Sequence, residues 1–200
     1  MTFSENDHAD CREGERLIEL AMRECNPDAY DRFLSQAAQL LSPLVEKKMP
    51  DALYLYACYL LGRENLTDEE TDTKHVRLVE AAAVQGHAKA QFAMGQFHDR
   101  GGDLLPYDAE KSAEWFRLSA EQGYPYAKWV HGMNLLHGLG VPADERLALE
   151  FIKQAAEGKF EEALKYMTDA YAKGRHGLPV DKQQAACWRE KLQEPGVTGL

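Results

Sequence analysis

Residues 88–142 read AKAQFAMGQFHDRGGDLLPYDAEKSAEWFRLSAEQGYPYAKWVHGMNLLHGLGVP, and within them one pattern begins again before it has finished. Ala90 is followed by Ala127 and then by Ala163, at spacings of 37 and 36 residues. Eleven residues after each alanine stands a glycine: Gly101, Gly138 and Gly174. An aspartate follows in each copy (Asp108, Asp144, Asp181), then a small residue four positions on (Ser112, Ala148, Ala185) and an aromatic three beyond that (Trp115, Phe151, Trp188). The first two copies close with Ser119-Ala120 and Ala155-Ala156. A self-similar period of this length is the signature of stacked supersecondary units.

Each column has a mechanical meaning. Ala90, Phe92, Met94, Gly95 and His98 form one stripe, and Ala127, Trp129, His131, Gly132 and Leu135 repeat it. Offsets 0, 4, 5 and 8 share a helical face. Glycine inside a helix costs about 1 kcal/mol against alanine, so close packing of a neighbouring helix is expected to offset it. Gly101, Gly138 and Gly174 suit the left-handed residue that ends a helix. The turns Leu104-Leu105-Pro106, Gly140-Val141-Pro142 and Gly177-Leu178-Pro179 then tuck an apolar residue under the helix pair and block helix continuation with proline. Asp108, Asp144 and Asp181 are expected to be N-caps of the second helix. Trp115, Phe151 and Trp188 are expected to be core wedges between repeats. A helix pair of this kind cannot bury its apolar face alone, so successive units must stack.

The runs Ala90-Gln91-Phe92-Ala93-Met94-Gly95, Trp115-Phe116-Arg117-Leu118-Ser119-Ala120-Glu121-Gln122-Gly123 and Gly138-Leu139-Gly140-Val141-Pro142 resemble the Sel-1-like repeats, relatives of the tetratricopeptide repeats. The resemblance implies an all-α fold, a right-handed α/α solenoid (superhelix) of antiparallel helix pairs. It is strong over residues 78–192 and weaker before them. There Pro50-Asp51-Ala52-Leu53-Tyr54 opens a degenerate copy, with Ala57 where glycine is expected. Some cysteine-rich relatives carry a disulfide in each repeat and have been linked to β-lactam binding or hydrolysis. The four cysteines here (Cys11, Cys25, Cys58, Cys187) do not occupy matching columns, so that activity does not transfer.

The expected organisation is a disordered tail over residues 1–10, an N-terminal helical cap over 11–48, about four helix pairs over 49–193 with the first degenerate, and a C-terminal tail over 194–200. Asn26-Pro27-Asp28 is a helix start. Ser42-Pro43 kinks or ends the helix that follows. Thr67 with Glu70 forms a capping box for a helix running through Gln85.

The formal net charge is −10, from 33 acidic against 23 basic residues. Such a surface repels nucleic acid and anionic membranes, attracts a basic protein and favours solubility. No run of about 18 apolar residues is present to cross a bilayer. The start of the chain has no apolar, basic-flanked leader. Cysteines without regular spacing point to reduced thiols, and with the charge this gives a cytoplasmic expectation. No metal and no cofactor are expected. His8 and Cys11 have no second ligand pair, and no phosphate-cradling, nucleophile-elbow or zinc-protease motif occurs.

The expectation is therefore a non-enzymatic protein–protein interaction module, an adaptor or scaffold that binds its partner on the concave face formed by the first helices. Offsets 6, 7 and 10 from the repeat alanine leave the packing stripe. They select Gln96, Phe97 and Arg100; Met133, Asn134 and His137; and Asp169 and Lys173, with Ala170 between them. Phe97 and Met133 have two open roles, as docking anchors or as packing between units. Two other functions are carried: an immunity or inhibitor protein that occludes a toxin, and a hydrolase of cell-wall peptides or β-lactams. Both a monomer and a dimer are compatible with such a stack.

Overall fold

The computed structural model describes residues 2–198, and its described residues contain ten α-helices and no β-strand. It divides into two compact units, one ending at Gln91 and the other beginning at Phe92. None of the described helices is long and apolar enough to cross a membrane.

In the first unit, α1 spans Glu5–Arg23. Ser4 caps it: the hydroxyl accepts from the Asp7 amide at 3.1 Å, while the Asp7 carboxylate accepts from the Ser4 amide at 2.9 Å. Lys47 donates to the other Asp7 oxygen at 2.5 Å. This corrects the tail expected over residues 1–10. Residues 5–10 are helical because a short, polar first turn is tied at both ends. The Lys47 bond, followed by those from Ser4, holds the Asp7 carboxyl down at about 2.

Helix α2 (Pro27–Glu46) starts where expected, with the Asn26 side chain accepting from the amides of Asp28 and Ala29. It continues past Pro43 to Glu46, so that proline does not end it. Ile18, Ala21, Leu34, Leu41 and Leu44 from the two helices form one core with Met49 and Leu60.

Helix α3 (Pro50–Leu55) passes into a π-helical turn over Tyr56–Leu60 and a short 3-10 turn over Leu61–Arg63. A π turn leaves one carbonyl out of the regular ladder. The Ala57 carbonyl accepts from His75 Nδ1 at 3.1 Å. Helix α4 (Asp68–Val84) opens on the expected Thr67–Glu70 capping box and ends at Gln85.

The second unit repeats one design. The further helices are α5 (Ala88–Arg100), α6 (Ala109–Glu121), α7 (Pro125–His137), α8 (Glu145–Glu157), α9 (Glu161–Lys173) and α10 (Lys182–Lys191). Gly101, Gly138 and Gly174 all take the left-handed conformation, at φ 68°, 68° and 67°. After each turn the aspartate amide bonds back to the first helix: Asp108 to the His98 carbonyl (3.0 Å), Asp144 to Leu135 (2.9 Å) and Asp181 to Tyr171 (2.9 Å). The same three side chains accept from first-turn amides of α6, α8 and α10, as expected of N-caps. One residue type thus closes the turn and starts the next helix.

Most of the packing stripe is buried as predicted, with Ala90 and Ala127 fully covered and Met94, His98, His131 and Leu135 inside, whereas Trp129 is only half-buried. A Cβ on Gly132 would lie 2.7 Å from Ile152, so α7 and α8 touch at a distance only glycine allows. Trp188 is a buried wedge, but Trp115 and Phe151 are only half-buried. Phe116 and Ile152, one residue later, fill the interior instead. The helical phase inferred for that column is one position off in the first two copies. Of the turn residues, Leu105, Val141 and Leu178 are half-buried, while Leu104 is 46% exposed.

The C-terminal segment returns to the α8–α9 turn. Thr198 donates to the Lys159 carbonyl at 3.0 Å, and the Glu161 amide donates to Thr198 at 2.9 Å. The expected loose tail over 194–200 is thus corrected over its described part; residues 199 and 200 lie outside the described residues.

Candidate protein-docking face

The first helices of the three clear repeats are α5, α7 and α9, and the sequence-selected residues lie on them. Arg100, His137 and Lys173 occupy one register, the last position of each helix, and all three are exposed. Cations are favoured there because the carbonyl end of a helix carries partial negative charge. The structure places Gln96, Phe97, Met133 and Asp169 half-buried, one turn back.

Met133 packs against the core cluster around Ile152, Phe160 and Leu164. Asn134 is 9% exposed and belongs to the interior, which corrects its selection as a contact residue. Its position beside His131 and Leu135 draws it into the stripe that packs on α8. Asp169 accepts from Lys173 Nζ at 2.5 Å and lies 3.0 Å from an Arg175 guanidinium nitrogen. The Lys173 bond is the main cause that holds the Asp169 carboxyl below its usual value. A partner that used Lys173 would have to share it with this pair. Arg100 offers the simpler contact.

Sequence reasoning missed an aromatic seam along the same helices. Phe92 meets Tyr124 at 5.3 Å, Tyr124 stacks on Tyr126 at 5.6 Å, and Tyr126 meets Phe160 at 4.7 Å between ring centroids. Trp129 then sits edge-on to Tyr166 at 5.7 Å. The signal was available in Tyr124-Pro125-Tyr126 and in Phe160, each at the start of a first helix. These rings rigidify the stack, and such pairs contribute about 0.5–1.5 kcal/mol beyond the area they bury.

The histidines of the stripe serve packing. His131 stands edge-on to Phe151 at 4.8 Å, and its pKa is lowered, by burial first and then by Arg117. Among the described residues no group of three or more His, Cys, Asp or Glu is placed to hold a metal ion. The four cysteines are unpaired thiols. Burial pushes the Cys11 thiol up to about 11, which leaves it protonated and a poor nucleophile at neutral pH.

The family pattern described as Sel1 repeat matches residues 88–124, 125–160 and 161–188, more than half of the chain. The chain belongs to the Sel1 repeat family. The matches begin at the first residues of α5, α7 and α9, so each falls on one helix pair. Human protein sel-1 homolog 2 is 30% identical over 155 residues, which is 78% of this chain and 20% of that protein. Chitin synthase regulatory factor 3 of Schizosaccharomyces pombe is 29% identical over 103 residues, 52% of this chain and 11% of that protein. The chain therefore spans about a fifth or less of the length of these curated relatives.

Among solved structures, a Sel1 repeat protein from Oxalobacter formigenes aligns at a TM-score of 0.71 and 22% identity, covering 91% of this chain and 73% of that one. A protective antigen from uropathogenic Escherichia coli with the same repeat fold aligns at a TM-score of 0.65 and 24% identity, over 76% of this chain and 32% of that one. At these identities the likeness establishes the fold, an all-α right-handed solenoid of antiparallel helix pairs. Sel1 repeat proteins are generally protein–protein interaction scaffolds, and their solenoid is typically a non-catalytic module.

Proposed function

We propose that this Sel1 repeat chain is a non-enzymatic adaptor that docks a partner protein on the face formed by α5, α7 and α9, the concave side in solenoids of this type. The observation that carries the reading is the shared register of Arg100, His137 and Lys173, exposed at the ends of three consecutive first helices. Gln96, Phe97, Met133 and Asp169 form the floor behind them. A surface whose side chains are already ordered by packing loses little conformational freedom on binding, which favours affinity without a large contact area. The acidic surplus of the whole chain disfavours nucleic acid, while Arg100 and Lys173 on this face call for acidic side chains at the partner's contact surface.

Photo-crosslinking tests the face. A benzophenone amino acid placed at Arg100, His137 or Lys173 should trap a single stoichiometric protein from the native source. The same probe at Lys153, exposed on α8, should trap none. Equal trapping from both helices would refute the choice of face. If the trapped partner is a toxin or enzyme whose activity is blocked by binding, the adaptor is an inhibitor of the immunity type.

A further inference from the structure

The first unit holds a cavity of about 160 Å³, bounded by α1, α3 and the start of α5. Its lining changes in chemistry from bottom to mouth. Cys11, Met49 and Leu55 are buried and give it an apolar floor. Tyr54 and His87, both half-buried, form a wall of two rings with centroids 4.6 Å apart. The rim is exposed and charged, with His8, Arg12 and Glu15 on α1 and Asp51 and Lys89 on the other helices.

The charges of the rim are available to a ligand. His87 Nδ1 accepts the Ala90 amide at 3.1 Å, so the hydrogen of its neutral ring sits on Nε2, 3.4 Å from Asp51 Oδ1. A neutral imidazole leaves the Asp51 charge uncancelled. Arg12, Glu15 and Lys89 enter no ion pair among the described residues. The rim therefore presents two cations and two carboxylates. A simple anion would meet both carboxylates and a simple cation both basic groups, whereas a zwitterion finds a partner for each of its charges. A cavity of about 150 Å³ is enough to take up benzene, so the floor and the ring wall have room for one apolar side chain of that size. A few placed polar groups over an apolar interior are the usual make-up of a small-molecule site.

We propose that this cavity binds a free α-amino acid with an apolar side chain. The side chain lies on Cys11, Met49 and Leu55 against the Tyr54–His87 wall. The carboxylate meets Arg12 and Lys89, and the ammonium group meets Glu15 and Asp51. The site is independent of the protein-docking face on α5, α7 and α9, and either can fail without the other.

The probe is L-phenylalanine, titrated into the ¹⁵N-labelled full chain while amide chemical shifts are followed. Saturable shifts are expected at Cys11, Tyr54, His87 and Lys89. Phenethylamine lacks the carboxylate and 3-phenylpropanoate lacks the ammonium group; each should bind about fivefold or more weakly, the loss expected for one charge-assisted contact at an exposed rim. Arg12→Gln with Lys89→Gln should keep the melting temperature, since both side chains are exposed and unpaired, and should bind phenylalanine no better than phenethylamine. Glu15→Gln, exposed and unpaired as well, should weaken phenylalanine and leave 3-phenylpropanoate no weaker. No saturable shifts at the lining residues, equal affinity for phenylalanine and either analogue, or wild-type affinity for phenylalanine in the Arg12 and Lys89 double variant would overturn the proposal.

Discussion

His75 donates its Nδ1 hydrogen to the Ala57 carbonyl oxygen at 3.1 Å, which joins α4 to the π turn that follows α3. The carbonyl has no hydrogen to give, so the bond fixes which ring nitrogen is protonated. It is a tertiary bond between residues 18 apart in sequence. His75→Leu should therefore destabilise the protein by about 1–2 kcal/mol, the range for an under-paired carbonyl. Urea denaturation checks this, through a lower midpoint at unchanged slope.

Gly140 should be the least replaceable glycine of the turns. It sits at φ 67°, and a Cβ there would lie 1.9 Å from the Ala109 carbonyl oxygen. Gly177, at φ 76°, has nothing within 4 Å of the same position. Gly177→Ala should cost about 1 kcal/mol from backbone strain alone. Gly140→Ala adds a backbone collision and should cost well above that, about 3 kcal/mol or more. Thermal melts of the two variants, side by side, separate strain from contact.

The repeat made much of this molecule legible in advance. Gly138 and Asp144 recur in register, and each has a local job that its own chemistry dictates, so their roles followed from spacing. Failures occurred where a contact is distant in sequence or the helical phase drifts. His75 and Ala57 are 18 residues apart, and no local pattern announces a π turn in Tyr56–Leu60. Phe116 is buried in place of Trp115, and Asn134 is drawn inside, because a one-residue phase error turns a helix by about 100°. The start of α1 was missed for another reason. Residues 5–10 carry little apolar periodicity, although Ser4 and Asp7 already had the spacing of a capping box.

Asp7 should make the first unit sensitive to strong acid. Its folded-state pKa, about 2, lies below the ordinary 3.8, so the stability it contributes is present above about pH 4. That contribution is lost as the pH falls through the folded value. Asp7→Asn should be less stable than the wild type at pH 5, and the gap should close as the pH approaches 2. Melting temperatures of both proteins across that interval provide the check.

His87 should act over a milder range. Its Nδ1 accepts the Ala90 amide at 3.1 Å at the start of α5, a bond that protonation of that nitrogen would abolish. Burial is the main cause that lowers its pKa below the ordinary 6.5. With the folded value depressed, the contribution to stability is complete above pH 6.5 and declines as the pH falls toward the folded value. His87→Asn keeps a capping acceptor without a titrating ring. Its stability should fall less steeply between pH 7 and pH 5 than the wild type's, as followed by denaturant midpoints. His131 leaves a residual slope in both.

The docking face of the three Sel1 repeats is tested most directly by affinity. The partner trapped at Arg100 or His137 is purified and titrated calorimetrically into the wild type and into Arg100→Glu with Lys173→Glu. Both side chains are exposed, and the Lys173–Asp169 pair is a surface contact that contributes little to stability. The double variant is predicted to keep its melting temperature and to bind about tenfold or more weakly. A dissociation constant equal to that of the wild type would contradict the assignment of this face.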